Sequence, residues 1–429
     1  MTSTKLPGET PITPTASRRA MLGLGLGNTL EWFDWMVFGL LSSYIGANFF
    51  PPQDPIAATL GALAIFGAGF AARPLGGAFL GLLADRVGRR AVMLLSVTIM
   101  TVGTLVIALI PTYADIGVTS TLILLVCRLL QGIAVGVEAP LATSCAIELS
   151  PPGREGKAAG FVGFYVNLGI LAAAVASFCT SLAVSNETMQ DWGWRVPFAV
   201  GAVLGIFVIQ LRRSLPETLR VKPDRAAAKE SIWGELRRHW LSVLAIIFVC
   251  GAAQAFNYAW TTGLPNLARS GFHEPPTAVF AITALLGLIQ LIGSPLTGML
   301  ADRKRLSRTF VVTRLLSVPA GFLALAYNGP GLGLFTLVML VGGVVLVLNL
   351  TLYNVVSLSL LPESCRVTGV GFGYGIGVAV FGGTASYLVV WLQQMHLPWA
   401  FPLYTAVLSA LSVVLYLAAR RSRGTYAGE

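Results

Sequence analysis

The sequence predicts an all-α polytopic membrane protein, with 12 transmembrane helices in two six-helix bundles. Three observations predict it. Of 429 residues, 55% are apolar and 11% charged, against about 25% charged in a soluble domain. Apolar runs of about 20 residues, enough to cross a hydrocarbon core, recur along the whole chain. A six-residue motif repeats at an offset of 217 residues, about half the length. A mean hydropathy of +0.75 excludes a soluble enzyme, a secreted disulfide scaffold and a disordered chain. It also excludes a single anchor on a large soluble domain, because no long stretch has ordinary composition.

Runs broken by Pro, Gly and charge place helices near 20–47, 58–83, 91–110, 119–148, 157–184 and 194–211. Six more fall near 240–266, 277–301, 309–327, 331–360, 367–392 and 398–419. The first run is too long, and lacks the small-residue cleavage site, for a removable signal peptide. The expected organisation is a cytoplasmic tail (1–19), a first bundle (20–211), a linker (212–239), a second bundle (240–419) and a second tail (420–429).

Charge sets the orientation. The net charge of +10 is not a stripe for nucleic acid; it sits in short clusters between apolar runs. Of 29 basic residues, 24 lie on alternate loops, with Arg195 and Arg269 on the opposite set. The positive-inside rule then predicts that both termini face the cytoplasm and the span count is even. In the 212–238 stretch, Ile232, Trp233, Leu236 and Trp240 form one helical face that could rest on the membrane surface; a plain linker is the alternative. The five cysteines lie in or beside apolar segments without paired or metal spacing, and read as packing residues. The three histidines fall near segment ends, away from any buried proton path.

The repeat pairs Gly81-Leu82-Leu83-Ala84-Asp85-Arg86 with Gly298-Met299-Leu300-Ala301-Asp302-Arg303. A fainter echo, offset by 211, pairs Pro151 with Pro362 and Gly160-Phe161 with Gly371-Phe372. Six spans repeated once is the pattern of a transporter with its site between two bundles. The first copy, extended through Val87-Gly88-Arg89-Arg90, resembles the loop 2–3 signature of the major facilitator superfamily, and Arg128-Leu129-Leu130-Gln131-Gly132 resembles its helix 4 motif. Four further segments resemble its metabolite:proton symporter branch. They are Gly27-Asn28-Thr29-Leu30-Glu31-Trp32-Phe33-Asp34, Arg73-Pro74-Leu75-Gly76-Gly77, Asp191-Trp192-Gly193-Trp194-Arg195-Val196-Pro197-Phe198 and Arg366-Val367-Thr368-Gly369-Val370-Gly371. That branch carries citrate, 2-oxoglutarate, shikimate, and proline or betaine across bacterial inner membranes. The chain departs from it where Val137 separates Gly136 from Glu138, where Gly263 takes the place of a second helix 7 tyrosine, and where the second loop signature decays into Lys304-Arg305-Leu306.

Ionised side chains at the bilayer centre cost at least about 2.5–3.5 kcal/mol each on insertion scales. Glu31, Asp34, Arg73, Arg128 and Glu138 accept that cost within expected helices, while Glu148 and Arg314 lie near helix ends and are expected to snorkel. Spacing groups them: Asn28, Glu31 and Asp34 on helix 1, Arg128, Gln131 and Glu138 on helix 4, Gln254, Asn257, Tyr258 and Thr261 on helix 7, and Asn349, Tyr353 and Ser357 on helix 10. The resemblance implies that these four helices line a central cavity. Structural ion pairs and interhelical hydrogen bonds are the competing reading of the same residues.

No phosphate loop, metal cluster or catalytic triad spacing is visible, so neither enzymatic turnover nor ATP-driven transport is expected, and no cofactor beyond protons. The expected function is proton-coupled uptake of a small organic acid, such as a di- or tricarboxylate. Asp34, Glu138 and Glu31 are the candidate proton carriers and Arg128 tunes them. Candidate substrate contacts are Arg73, Gln131, Gln254, Asn257, Tyr258, Asn349 and Tyr353. The resemblance implies a gate built from Asp85, Arg86, Arg89 and Arg90, with Asp302 and Arg303 as counterpart, extended by Glu148 and Arg154. Expected partners are an anionic small molecule and membrane lipid, without nucleic acid or an obligate protein. Alternatives are a proline or betaine carrier, kept open by Trp32, Trp35, Tyr258, Trp260 and Tyr353, an exporter of a toxic acid or drug, and a transporter-like sensor, for which the expected tails are short.

Overall fold

The computed structural model describes residues 14–51, 54–148, 155–213, 234–303, 306–362 and 365–422. Their long helices are α1 (Pro14–Leu40), α2 (Pro55–Val87), α3 (Arg89–Leu109), α4 (Val118–Glu148), α5 (Glu155–Ala183) and α6 (Arg195–Arg213). The second half holds α7 (Trp240–Gly271), α8 (Pro276–Arg303), α9 (Leu306–Leu323), α10 (Leu332–Ser359), α11 (Arg366–Gly377, continued through Val378–Gly382 and Gly383–Gln394) and α12 (Ala400–Arg421). Eleven of them, α2 to α12, are long and apolar enough to cross a membrane. α1 is not among these; Asn28, Glu31 and Asp34 run through its middle. The amphipathic face expected near 232–240 begins in residues outside the described set.

The sequence repeat reappears as a repeat of packing. In the first half α1 packs on α5 and α6, α2 on α4, and α3 on α4 and α6. In the second half α7 packs on α11 and α12, α8 on α10, and α9 on α10 and α12. Each pairing is the earlier one advanced by six helices. The halves meet where α5 lies along α8, where α2 crosses α11 and where α1 touches α7. On the α5–α8 seam, Asn167 Nδ2 donates to Ser294 Oγ (2.8 Å) and Thr277 Oγ1 donates to the Ser181 carbonyl (3.2 Å).

Glycine sets the closest approach in the first half. A Cβ added to Gly132 would lie 2.1 Å from the Gly69 carbonyl oxygen, and one on Gly76 would lie 1.8 Å from that of Ile133. α2 and α4 therefore cross backbone against backbone, the contact that small residues permit between membrane helices. This crossing sets Arg128 of α4 against α1.

Two arginines near helix ends fix the first bundle. Arg195, from the Trp-rich motif, donates to the carbonyls of Ala108 (3.0 Å) and Ile110 (2.8 Å) that end α3, and stacks on Trp194. Cations suit the negative end of a helix dipole. Arg212, expected in the linker, closes α6 instead; it is fully buried and donates to the Met93 carbonyl of α3 (3.1 Å). In the turn after α3, Thr112 donates to Asp115 from its backbone N–H and its hydroxyl, both at 2.8 Å, and these bonds hold the Asp115 carboxyl below the usual range.

Gly132→Val should destabilise the protein by about 1–3 kcal/mol or more, because overpacked helices must separate. Gly163→Ala, inside α5, whose new methyl meets nothing within 4 Å, should cost no stability and can add up to about 1 kcal/mol through helix propensity. Thermal unfolding of the detergent-purified variants checks both.

Candidate functional site

The site grows from an ion pair. Asp34 lies in the C-terminal third of α1 and Arg128 on α4, both effectively sealed from solvent. Arg128 Nη1 donates to Asp34 Oδ2 at 2.9 Å. The other carboxylate oxygen accepts from Thr104 Oγ1 of α3 at 2.5 Å. Gln131 Nε2 donates to Thr104 Oγ1 (3.1 Å) and to the Met100 carbonyl (3.2 Å), which steadies that hydroxyl. The Arg128 guanidinium lies 3.9 Å from the Phe38 ring centroid, and its Nε and Nη2 reach no acceptor among the described residues. A buried charge is tolerated when it is paired and hydrogen-bonded. Here Asp34 is satisfied at both oxygens, while Arg128 retains unused donors.

A second buried cation lies beside the first. Arg73, just before Pro74 in α2, sits 4.6 Å from the Trp35 ring and 4.3 Å from Phe70. Arg128 lies 5.3 Å from the same Trp35 ring. One indole thus faces two guanidiniums, an arrangement its ring quadrupole favours. Arg73 Nε reaches no acceptor among the described residues. Glu31, buried one turn before Asp34, lies with Arg73 within electrostatic reach of the hydroxyls of Tyr258 and Tyr374.

The second half contributes aromatics and amides. Tyr258 of α7 stacks on Trp32 of α1 (6.4 Å between centroids, 6° between planes) and meets Phe66 and Phe70 of α2 edge-on at 5.7 and 4.9 Å. Its hydroxyl finds no partner among the described residues. Asn257, the preceding residue, donates from Nδ2 to Gln254 Oε1 one turn earlier at 3.2 Å, and its Oδ1 finds no partner among the described residues. Tyr353 of α10 stacks on Tyr374 of α11 at 6.1 Å and is hydrogen-bonded to it. Acids and cations from the first half thus face tyrosines and amides from the second across a closed seam.

Of the residues expected from sequence, the structure brings together Glu31, Asp34, Arg73, Arg128 and Tyr258, with Tyr353 joined through Tyr374, while Gln254 and Asn257 bond each other on the turn of α7 that precedes Tyr258. Gln131 and Asn349 turn into seams inside their own bundles: Gln131 toward α3, and Asn349 toward α9, where it donates to the Thr313 carbonyl at 3.0 Å. Arg314 does not snorkel. It is buried, donates to the Val249 carbonyl of α7 at 2.8 Å and stacks on Phe310. The side chains of Asp85, Arg86, Arg89, Glu138, Glu148, Asp302, Arg303 and Asn354, and all of Arg154, lie outside the described residues. Arg90 of the expected gate donates to the Arg213 carbonyl at the end of α6. The sequence reading missed Thr104, Phe66, Phe70 and Tyr374. Phe66, Phe70 and Arg73, at spacings of four and three on α2, carried a helical-face signal; Thr104 carried none. Among the described residues, no group of His, Cys, Asp and Glu is placed to hold a metal.

The family model described as Major Facilitator Superfamily matches residues 24–377. The chain belongs to that superfamily. It is 32% identical to the alpha-ketoglutarate permease of Escherichia coli K12, over 98% of each chain. It is 31% identical to the citrate-proton symporter of Klebsiella pneumoniae, over 85% of this chain and 83% of that one. It is also 31% identical to the proline/betaine transporter of Salmonella typhimurium, over 92% and 82%. A solved D-xylose-proton symporter shares the fold at a TM-score of 0.76 and 18% identity, covering 93% of this chain and 97% of its own. This member of the superfamily is a multi-pass membrane transporter of a small molecule, and not an enzyme.

Arg128→Met should destabilise the carrier by about 3–5 kcal/mol, because it strands the Asp34 carboxylate without its cation. Adding Asp34→Asn should recover much of the loss. Melting temperatures of both variants in detergent check the asymmetry.

Proposed function

We propose that this carrier is a proton-coupled symporter that takes up a small organic acid, of the di- or tricarboxylate type, across the bacterial inner membrane by alternating access, with both termini cytoplasmic. One observation carries the reading: the Asp34–Arg128 pair, buried in the first bundle beside the Trp35 ring that Arg73 also faces, with unused donors on the arginine. Arginine keeps its proton in practice, so Asp34 is the member that can change charge. Protonating Asp34 releases the guanidinium, which then needs another anion. A substrate carboxylate supplies it. Proton and acid therefore load together or not at all, since either alone leaves an uncompensated charge out of water. Arg73, over Trp35 and Phe70, is placed to hold a second carboxylate, with the Tyr258 hydroxyl and the Asn257 carboxamide offering hydrogen bonds from the second half.

Energetics point the same way. Carrying one negative charge inward against ~100 mV costs about 2.3 kcal/mol, so a dianion costs about 4.6 kcal/mol. Two co-transported protons cancel that charge. Glu31 and Glu138 are the further carriers available beside Asp34. The alpha-ketoglutarate permease and citrate-proton symporter to which the chain is similar are named for multivalent acids.

A second reading has its own observation. The rings of Trp32, Trp35, Phe66, Phe70 and Tyr258 gather at the seam, and such faces attract quaternary ammonium groups. A zwitterion such as betaine would place its carboxylate on an arginine and its cation among these rings. Uptake into vesicles with an imposed pH gradient, challenged with mono-, di- and tricarboxylates and with betaine, separates the two. Uptake of betaine alone would sink the acid reading.

Asp34→Asn should abolish proton-driven accumulation while exchange between loaded sides continues; full accumulation by this variant would remove Asp34 from the coupling role. Asp85→Ala, in the loop signature, should slow turnover with little change in substrate affinity, because the loop pairs with helix ends in one conformation only. Initial uptake rates against substrate concentration check it.

A further inference from the structure

α1 stops at Leu40 and a short helix, Ser42–Phe49, resumes after Leu41. The backbone ladder is interrupted across this joint, and three carbonyls take side-chain donors. Phe38 accepts from Ser42 Oγ at 2.8 Å. Gly39 accepts from Asn266 Nδ2 at 2.6 Å, and Leu40 accepts from Arg269 Nη2. Both Asn266 and Arg269 come from α7, in the other bundle. The Ser43 backbone N–H, whose regular helical acceptor would be the Gly39 carbonyl, donates instead to Asn266 Oδ1 at 3.3 Å. The Asn266 carboxamide thus sits inside the ladder of α1, taking the place of one peptide–peptide bond with two of its own. Arg269 Nη2 also donates to Asn266 Oδ1 at 2.9 Å and holds the amide in that orientation. The guanidinium is buried with no carboxylate in contact among the described residues. Its partners are the negative end of α1 and the rings of Tyr44 (5.1 Å) and Phe280 (4.6 Å).

The part of α7 that carries these residues is irregular for a local reason. Pro265 lacks an N–H and crowds the carbonyl four residues back, and the helix widens into π turns on either side, Ala259–Gly263 and Leu267–Gly271. Side chains add donors to the carbonyls of this segment. Thr262 Oγ1 and Ser386 Oγ of α11 donate to the Tyr258 carbonyl at 2.8 and 2.9 Å, and Asn266 Nδ2 donates to that of Thr262 at 2.8 Å. One π turn therefore runs from Tyr258, at the central site, toward the residues clasping α1. Such single π turns are frequent at functional positions in helices.

We propose that Asn266 and Arg269 are the latch that closes the far end of the seam, and that it opens by handing the Gly39 carbonyl back to the Ser43 N–H. This rests on the alternating-access reading. Withdrawal of Asn266 and Arg269 leaves the Gly39 carbonyl to the Ser43 N–H and the Leu40 carbonyl to that of Tyr44, its regular helical donor, so α1 heals into a continuous helix and neither carbonyl is stranded. Return of the π turn to α geometry removes one residue of register and rotates the rest of α7 by about 100°. Asn266 and Arg269 then leave α1 together.

The test uses the full-length carrier in membranes, with its five native cysteines replaced and Ser43→Cys introduced as a reporter. A membrane-impermeant maleimide added from outside should label it slowly. Asn266→Ala should raise the labelling rate about tenfold or more, as a shift in the resting population would, and Arg269→Ala should do the same. The double variant should not exceed the larger single effect. Hydrogen exchange on the same variants reads the healing: the amides of 42–44 should stay at least as protected as in the parent. Unchanged labelling, additive effects, or faster exchange at 42–44 would each overturn the proposal. Neither readout needs a substrate, so failure of every acid in the uptake panel would sink the symport reading separately.

Discussion

Each buried charge and each interrupted backbone hydrogen bond in this carrier must find its partner inside the protein, because hydrocarbon supplies none. That constraint explains most of what is irregular in the structure. Asp34 is tolerable inside α1 because Arg128 and Thr104 occupy both its oxygens. The joint after Leu40 is tolerable because Ser42, Asn266 and Arg269 reach its carbonyls. The widening of α7 is tolerable because Thr262 and Ser386 meet the Tyr258 carbonyl. In water each of these defects would cost little; in a bilayer each requires a named donor.

The same constraint links the site to its surroundings. Tyr258 presents its ring to Trp32 and its carbonyl to the hydroxyls that brace the π turn. A ligand that displaces the ring therefore acts on the segment leading to Asn266. Asp34 likewise answers to α3 through Thr104 and to α4 through Arg128. Around Trp35 and Tyr258 the two halves differ in kind: the first brings Asp34, Arg73 and Arg128, the second the Tyr258 ring and hydroxyl.

Much of this was legible in the sequence. The helices follow from apolar runs, and most observed ends fall within a few residues of expectation, because Pro, Gly and charge terminate them; the first, expected over 20–47, starts at Pro14 and breaks after Leu40, a joint without a Pro or a charge to announce it. The repeat of packing pairs was foreshadowed by the Gly81–Arg86 and Gly298–Arg303 copies. Asp34 and Arg128 stood out because ionised groups in apolar runs are costly. Their mutual contact was not legible, since it depends on the backbone crossing of α2 and α4. Thr104 was invisible, being one hydroxyl among many. Arg269 had a signal and was read only for topology; a lone basic residue on the sparsely charged side was a clue to burial. Gln131 and Asn349 shared helical faces with true seam residues but turn aside, because faces drift around a helix as they climb.

The contact of α2 with α4 has a final consequence for insulation. At Gly69, Gly76, Gly132 and Ile133 the main chains touch, leaving no thickness for solvent between them. A hydronium ion therefore has no short cut to Asp34 through this wall. Tightness of this kind keeps a gradient from draining through the machine that harvests it.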